Sequence, residues 1–437
     1  MKHDLTPKHD LTPKYDLTPK HDLTPKHDLT LKHDLTPKHD LTLKHDLTPA
    51  LKGRATPGFA GQSPSGATER TMASPNCPQP RRGFRPRVAR LFKAGMFPLA
   101  AIIGGLFLFA QPVKAQPLLF TGTNLSSGEF GDPQPGKTLV YGQNYIYPNA
   151  SEVAYFASKG MNVIRLPFHW EVLQPVARGP LVPAEVRHLK DVVAAATKQN
   201  MVVLLDPHNA ARRFGKVIGG PDVSDTDFAD FWGRMAGEFR NDPHVWFGLM
   251  NEPHDMPTPQ WFGAANAAVA AIRKAGAKNL ILVPGNGWSG AHSWLESGND
   301  ILLKISDPAN HYAFEAHQYL DADSSGTHPE AVSATVGSER LRVFTDWCRR
   351  NHQRAFLGEF GVGANDTGQA AIGDMLTMME RNRDVWIGYT WWAAGPWWGN
   401  YMFTIEPDKG ADRPQMSWLL PHLHLAAQAV GGGPSVK

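Results

Sequence analysis

Residues 116–437 predict an α/β barrel of eight parallel strands, each followed by a helix. Three observations carry that reading. Apolar runs of strand length alternate with amphipathic stretches of helix length along the whole segment. Eight such pairs fit within 322 residues, the size expected of a (β/α)₈ barrel. Each apolar run also ends, on its C-terminal side, in residues unsuited to a core, as expected where barrel strands converge on an open mouth. A doubly wound sheet is disfavoured, because the first run ends in Thr-Gly-Thr-Asn-Leu with no GxGxxG phosphate loop.

The strands are expected at 118–125, 162–168, 201–208, 245–253, 279–286, 311–320, 354–360 and 385–394. They are near-continuous apolar runs, the signature of strands covered on both faces. The helices between them are expected at 152–159, 184–199, 227–240, 258–277, 292–305, 338–351 and 370–381, with a last one at 415–427. The polar residues at the strand ends are Asn124, His169, His208, Asn251, Glu252, Asn286, His317, Tyr319 and Glu359, with Trp391 and Trp392 after the eighth. Any one of them could be a satisfied polar group. Together they point to a site.

The front of the chain is of another kind. Residues 2–49 are eight copies of Lys-His-Asp-Leu-Thr-Pro, with Tyr15, Leu31 and Leu43 as the departures. One Leu per unit cannot bury a core, so 1–71 is expected to be disordered low-complexity sequence, or untranslated, with Met72 as the initiator. Residues 72–115 read as a secretory signal peptide. Arg81, Arg82, Arg85, Arg87, Arg90 and Lys93 form a basic segment, 97–110 is an apolar run of 14 residues, and Val113-Lys114-Ala115 offers a cleavage site. Fourteen residues fall short of the ~20 needed to span a bilayer, so no stable membrane anchor is expected and the product should be secreted or periplasmic.

Charge follows the same division. Residues 1–115 hold 18 Lys+Arg against 9 Asp+Glu, and 116–437 hold 26 against 32. The folded part is acidic, which argues against a nucleic-acid partner. Two cysteines, Cys77 and Cys348, exclude a disulfide framework and a thiolate-rich metal site. All 13 Trp lie after residue 169, a bias that leans toward carbohydrate.

Two acids stand out: Glu252 in Leu-Met-Asn-Glu-Pro-His (249–254) and Glu359 in Leu-Gly-Glu-Phe-Gly (357–361). They end strands four and seven, nearly opposite across the barrel, and could flank a sugar bound over its mouth. Glycoside hydrolysis needs such a pair, one protonated acid and one ionised carboxylate. Further ordered motifs are Asn-Val-Ile-Arg-Leu-Pro-Phe (162–168), Leu-Asp-Pro-His-Asn (205–209), Val-Pro-Gly-Asn (283–286), His-Gln-Tyr-Leu-Asp (317–321) and Trp-Trp-Ala-Ala-Gly-Pro-Trp-Trp (391–398).

With this series the chain resembles glycoside hydrolase family 5, and within it subfamily 5, the endo-β-1,4-glucanases, over residues 117–430. The resemblance implies that Glu252 is the acid/base, held protonated by partial burial and the other carboxylate, and that Glu359 is the nucleophile. It implies that Arg165 keeps Glu359 ionised, that Tyr319 orients it, and that Asn251 hydrogen-bonds the sugar 2-hydroxyl. His208 and His317 would contact the sugar and the carboxylates, and Trp392 would be the stacking platform under the reacting sugar. Trp288, Trp397 and Trp398, with Trp170, are candidates for further subsites, with ordinary core packing as the alternative, whereas Trp232, Trp246, Trp261, Trp347 and Trp386 read as core. No metal and no cofactor are implied. The partner would be a β-glucan polysaccharide, and the enzyme would act as a monomer.

A β-mannanase or mixed-linkage glucanase would carry the same acids, and a non-catalytic glycan-binding barrel would be expected to have lost one. A serine hydrolase fails for want of a GxSxG turn, since Gly-Trp-Ser-Gly (287–290) is one residue short. Zinc at His208, His254 and His317 is disfavoured because no HExxH pair occurs.

Overall fold

Residues 117–423 of the chain are described by a computed structural model. The repeat, the signal segment with its cleavage site, Cys77 and the end of the last expected helix lie outside them.

The eight strands are β1 (Phe120–Leu125), β2 (Val163–Phe168), β3 (Val202–Pro207), β4 (Val245–Gly248), β5 (Ile281–Pro284), β6 (Tyr312–His317), β7 (Ala355–Glu359) and β8 (Trp386–Ala394). Each pairs in parallel with its neighbours, and β8 closes on β1 to make a barrel in sequence order. Around it run α1 (Ala150–Ser158), α2 (Pro183–Lys198), α3 (Asp225–Phe239), α4 (Thr258–Lys274), α5 (Val336–Arg350), α6 (Asp366–Arg381) and α7 (Pro414–Leu419). Helix starts are written locally. Asn149 and Ser224 form capping boxes with Glu152 and Asp227, Asn365 caps the Gly368 amide, and α2, α4 and α7 open with a proline in the first turn.

One crossover departs from expectation. Residues 292–305 do not form an α-helix; only a 3₁₀ turn, Asn299–Lys304, is present. Two constraints prevent a longer helix. Gly298 takes a left-handed conformation at φ +71°. Asn299 then spends its side chain on the backbone of Asn286, accepting from its N–H at 2.8 Å and donating to its carbonyl at 3.0 Å. The segment just before, at Ser289 and Ala291, is hydrogen-bonded to the backbone of His317. Strands four and six are shorter than expected and end at Gly248 and His317, leaving Asn251, Glu252 and Tyr319 on loops above the barrel.

The barrel interior is divided by height. Its lower part is an apolar plug that includes Phe120, Leu204, Trp246, Leu282 and Phe356. The Phe120 and Trp246 rings meet edge-on at 4.4 Å. Outside the strands, two indoles tie helices to strand ends: Trp232 on α3 donates to the Leu249 carbonyl at 3.0 Å, and Trp261 on α4 to Pro284 at 2.8 Å. Trp347 and Trp386 are likewise buried. Cys348, on α5, is a buried free thiol, and burial raises its pKa. Above the apolar plug the interior turns polar.

Candidate active site

Arg165 is the centre of that polar layer. It projects from β2 and is fully buried. Its Nη1 donates to Glu359 Oε1 at 2.9 Å and to Asn124 Oδ1 at 3.0 Å, and its Nε donates to Glu315 Oε1 at 2.9 Å. Its Nη2 donates to Asn251 Oδ1 at 2.8 Å and lies 3.1 Å from Asp206 Oδ2. Burial alone would lower the guanidinium pKa, but Asp206, Glu315 and Glu359 outweigh it and raise it. One cation therefore spans β1, β2, β3, β6 and β7 and the loop after β4. A lysine could not supply that planar fork of donors.

Glu359 ends β7 and is almost wholly buried. Besides the bond from Arg165, its Oε2 accepts from the Tyr319 hydroxyl at 2.8 Å. Glu252 sits on the turn after β4 at φ +42°, a left-handed conformation that is strained for a side-chain-bearing residue. Its Oε1 lies 2.8 Å from His317 Nδ1. One oxygen of each glutamate and a ring nitrogen of His317 all lie within 4.8 Å of one another. Gly358 makes room for this arrangement: a Cβ there would run into Glu315 Oε1 and lie 2.8 Å from His317 Nε2.

The protons can be placed from these contacts. Both nitrogens of His317 face carboxylates, Nδ1 toward Glu252 and Nε2 toward Glu315 at 3.4 Å, so both are donors. Burial would lower the imidazole pKa, but Glu359, Glu252 and Glu315 overcome that and push it up to about 10. Burial would raise Glu252, but the hydrogen bond and charge of His317 lower it below the ordinary glutamate range. This departs from the expected Glu252, held protonated in the free enzyme; the proton instead rests on His317, one hydrogen bond away. For Glu359, burial raises the carboxyl and wins against the pull of His317 and Arg165. Arg165 opposes that rise without cancelling it.

His208 completes the ring. Its Nδ1 is 2.9 Å from Asp206 Oδ2 and its Nε2 is 3.0 Å from Asn251 Nδ2. Because Arg165 takes Asn251 Oδ1, the amide nitrogen must face His208 and donate to Nε2. The ring therefore carries its proton on Nδ1, toward Asp206.

The aromatic residues divide between two sides. Trp392 is half-buried at the end of β8, stacked on His208 at 5.3 Å and 15° and met edge-on by Trp398 at 5.5 Å. Trp398 packs in turn on Tyr401 and Phe130, and Trp397 is exposed beside them. Trp288, in the loop after β5, is half exposed and lies flat on His254 at 4.5 Å and 8°. The line from β4 to β7 separates β5 and β6 from β8, β1, β2 and β3. Trp288 and the Trp392 group therefore lie on opposite sides of the glutamate pair. Trp170 does not join either group. It is fully buried, its indole donates to Gln174 at 2.9 Å, and it packs on Phe228 and Phe231.

A buried Glu359 and a partly exposed Glu252 thus face each other over the barrel mouth, flanked by indoles. The family model described as cellulase, glycosyl hydrolase family 5, matches residues 115–395. The chain belongs to glycosyl hydrolase family 5. Among curated family members it is 41% identical to the probable endo-β-1,4-glucanase B of Neosartorya fischeri, over 73% of this chain and 95% of that one. Among solved structures, an endo-β-1,4-glucanase from Xanthomonas axonopodis pv. citri is 51% identical, with a TM-score of 0.68, over 70% of this chain and 99% of that chain. The Pseudomonas stutzeri endoglucanase in complex with cellobiose is 34% identical, with a TM-score of 0.66, over 74% and 98%.

In this family 5 site, three participants were not singled out from sequence. Asp206 and Glu315 sit within apolar strands, fully buried against Arg165, and Asn124 was noted only as a strand end. The available signal was an acid inside an apolar run, in Leu-Leu-Asp-Pro and Phe-Glu-Ala-His. Among the described residues, two sets bring ligand atoms close enough for a metal: Glu252, His317 and Glu359, and Asp321, Asp323 and His328 in the loop after β6. In the second set Asp321 is taken up by the Gly326, Thr327 and His328 amides and the Ser325 hydroxyl.

Proposed function

We propose that this enzyme is a retaining endo-β-1,4-glucanase in which Glu359 is the nucleophile and Glu252 the acid/base. The observation that carries the reading is the approach of the two carboxylates. Nearest oxygens within 4.8 Å support the roughly 5–5.5 Å carboxyl separation of retaining enzymes over the about 6.5–9.5 Å of inverting ones, which must seat a water between the two acids. The partners divide the roles. Glu359 accepts from two fixed donors, Arg165 and Tyr319, which aim it and favour its anion. Glu252 touches a single proton carrier, His317.

In the first step Glu359 attacks the anomeric carbon. The bond to the leaving oxygen breaks, and that oxygen takes a proton from Glu252, which receives it from His317 Nδ1 and is left ionised for the second step. In the second step Glu252 removes a proton from water, the water oxygen displaces Glu359 on the same face, and the β-anomer is released. Asn251 has one amide hydrogen left after bonding His208, and it is placed for the sugar 2-hydroxyl, a contact that strengthens in the transition state. Trp392 offers its indole face to the apolar side of the reacting sugar.

Indoles on both sides of the glutamates support cleavage of internal bonds, because the glucan chain can continue past the site in both directions. The names of the relatives support β-1,4-glucan as substrate; a mannan or mixed-linkage glucan remains the competing reading, since the acids would be the same. The signal-like segment supports secretion, with a mature chain starting near Gln116. Reducing-sugar release should be greatest on carboxymethylcellulose compared with lichenan and glucomannan, and proton NMR should show β-cellobiose or longer β-anomers first. Initial α-anomer would overturn the retaining reading, and a preference for glucomannan the glucan one.

A further inference from the structure

Glu252 stands in a left-handed turn at φ +42°, and the residue that fastens this turn is His254. Its Nδ1 lies 2.8 Å from the Glu252 carbonyl oxygen. A carbonyl can only accept, so Nδ1 carries the proton and donates. The ring has a second engagement. It lies parallel under the Trp288 indole, at 4.5 Å and 8°, and leaves the opposite face of that indole toward solvent, with Trp288 51% exposed. The Trp288 amide also donates to the Pro253 carbonyl at 3.1 Å, within the same turn. One imidazole thus fixes both the backbone that aims Glu252 and the floor of a nearby aromatic platform.

From this geometry we infer that His254 is a positioning residue for the leaving-group side of the cleft, coupling proton delivery by Glu252 to the seating of glucan on Trp288. The inference rests on the acid/base reading of Glu252. The acid serves the departing sugar, so the platform built on its own turn is the one that the departing sugars meet. Trp288 lies across the β4–β7 line from Trp392, as that division requires. Burial and the nearby Arg212 lower the His254 pKa, with the Glu252 carbonyl and the charges of Asp255, 3.9 Å from Nε2, and Glu252 acting the other way. Its hydrogen bond and its ring stack are separable by substitution.

His254→Phe keeps a flat ring under Trp288 and removes the hydrogen bond. His254→Asn places an amide N–H where Nδ1 stands and removes the ring. Both variants are compared with the unmodified enzyme on cellopentaose and on a dinitrophenyl cellobioside, whose leaving group needs no acid and places no sugar on Trp288. In His254→Phe, kcat on cellopentaose should fall about five- to ten-fold with KM nearly unchanged, the size of one lost hydrogen bond. In His254→Asn, KM should rise about five- to ten-fold with kcat nearly unchanged, the size of one lost stacking contact. In both, kcat/KM on cellopentaose should drop relative to that on the aryl cellobioside. Equal losses on the two substrates, or kcat and KM moving together in both variants, would show a merely structural histidine and overturn the inference. Azide rescue of Glu252→Ala, run alongside with His254 intact, reports on the acid/base reading separately.

Discussion

Tyr319→Phe removes one oxygen and little else. The ring keeps its packing over Gly326 and its stack with Phe403 at 6.2 Å, so the fold should hold. What goes is the 2.8 Å hydrogen bond to Glu359 Oε2, between two buried groups. A bond to a charged acceptor contributes about 1.5–3 kcal/mol, and one pH unit corresponds to about 1.36 kcal/mol. The phenol stabilises the ionised carboxylate, so its loss raises the Glu359 pKa by about one pH unit or more. Burial already holds that pKa above the ordinary glutamate range, so Glu359 should govern the acidic limb of the pH profile. The assay is kcat/KM against pH on a dinitrophenyl cellobioside, where no general acid is needed and the acidic limb isolates the nucleophile. The limb should move to higher pH in the variant, with the plateau lowered about ten-fold or more. An unmoved limb would refute the reasoning, because the hydroxyl would then not be holding the nucleophile's charge.

Two further outcomes follow from the same contacts. Arg165→Met leaves Asp206, Glu315 and Glu359 buried without their shared cation, which should cost about 3–5 kcal/mol. Calorimetry should show a lowered Tm, with a larger deficit at pH 8 than at pH 5, since acid relieves the unpaired carboxylates. Trp392→Ala removes a stacking face of about 1–3 kcal/mol, by analogy with other ring platforms, so turnover of cello-oligosaccharides should fall ten-fold or more while circular dichroism is unchanged.

The strands were legible because a parallel barrel buries both faces of every strand, which leaves unbroken apolar runs such as Val-Val-Leu-Leu in β3. Their C-terminal residues were legible as a site because Glu252, His317 and Glu359 interrupt those patterns at the same end. The fifth crossover was not, because its apolar spacing is helical, while Gly298 and the side chain of Asn299 commit it to a turn that local periodicity does not encode. Trp170 reads either way from sequence for a related reason: a Trp two residues past a strand end can face the mouth or fold back among helices, and Phe228 and Phe231, about 60 residues on, decide it. Glu315 and Asp206 look like blemishes in apolar strands until Arg165 is seen to need them. The charge state of Glu252 was out of reach for the same reason. It is set by His317, which arrives from β6.

The central claim is the division of labour between Glu252 and Glu359, and azide rescue tests it most directly. With a dinitrophenyl cellobioside, Glu252→Ala should form the glycosyl-enzyme in a burst, stall for want of a base, and resume when azide takes the place of the activated water, giving the β-azide. Glu359→Ala has no nucleophile and should give no burst, with azide yielding at most the inverted α-azide. A burst and β-azide from Glu359→Ala, together with α-azide from Glu252→Ala, would contradict the assignment.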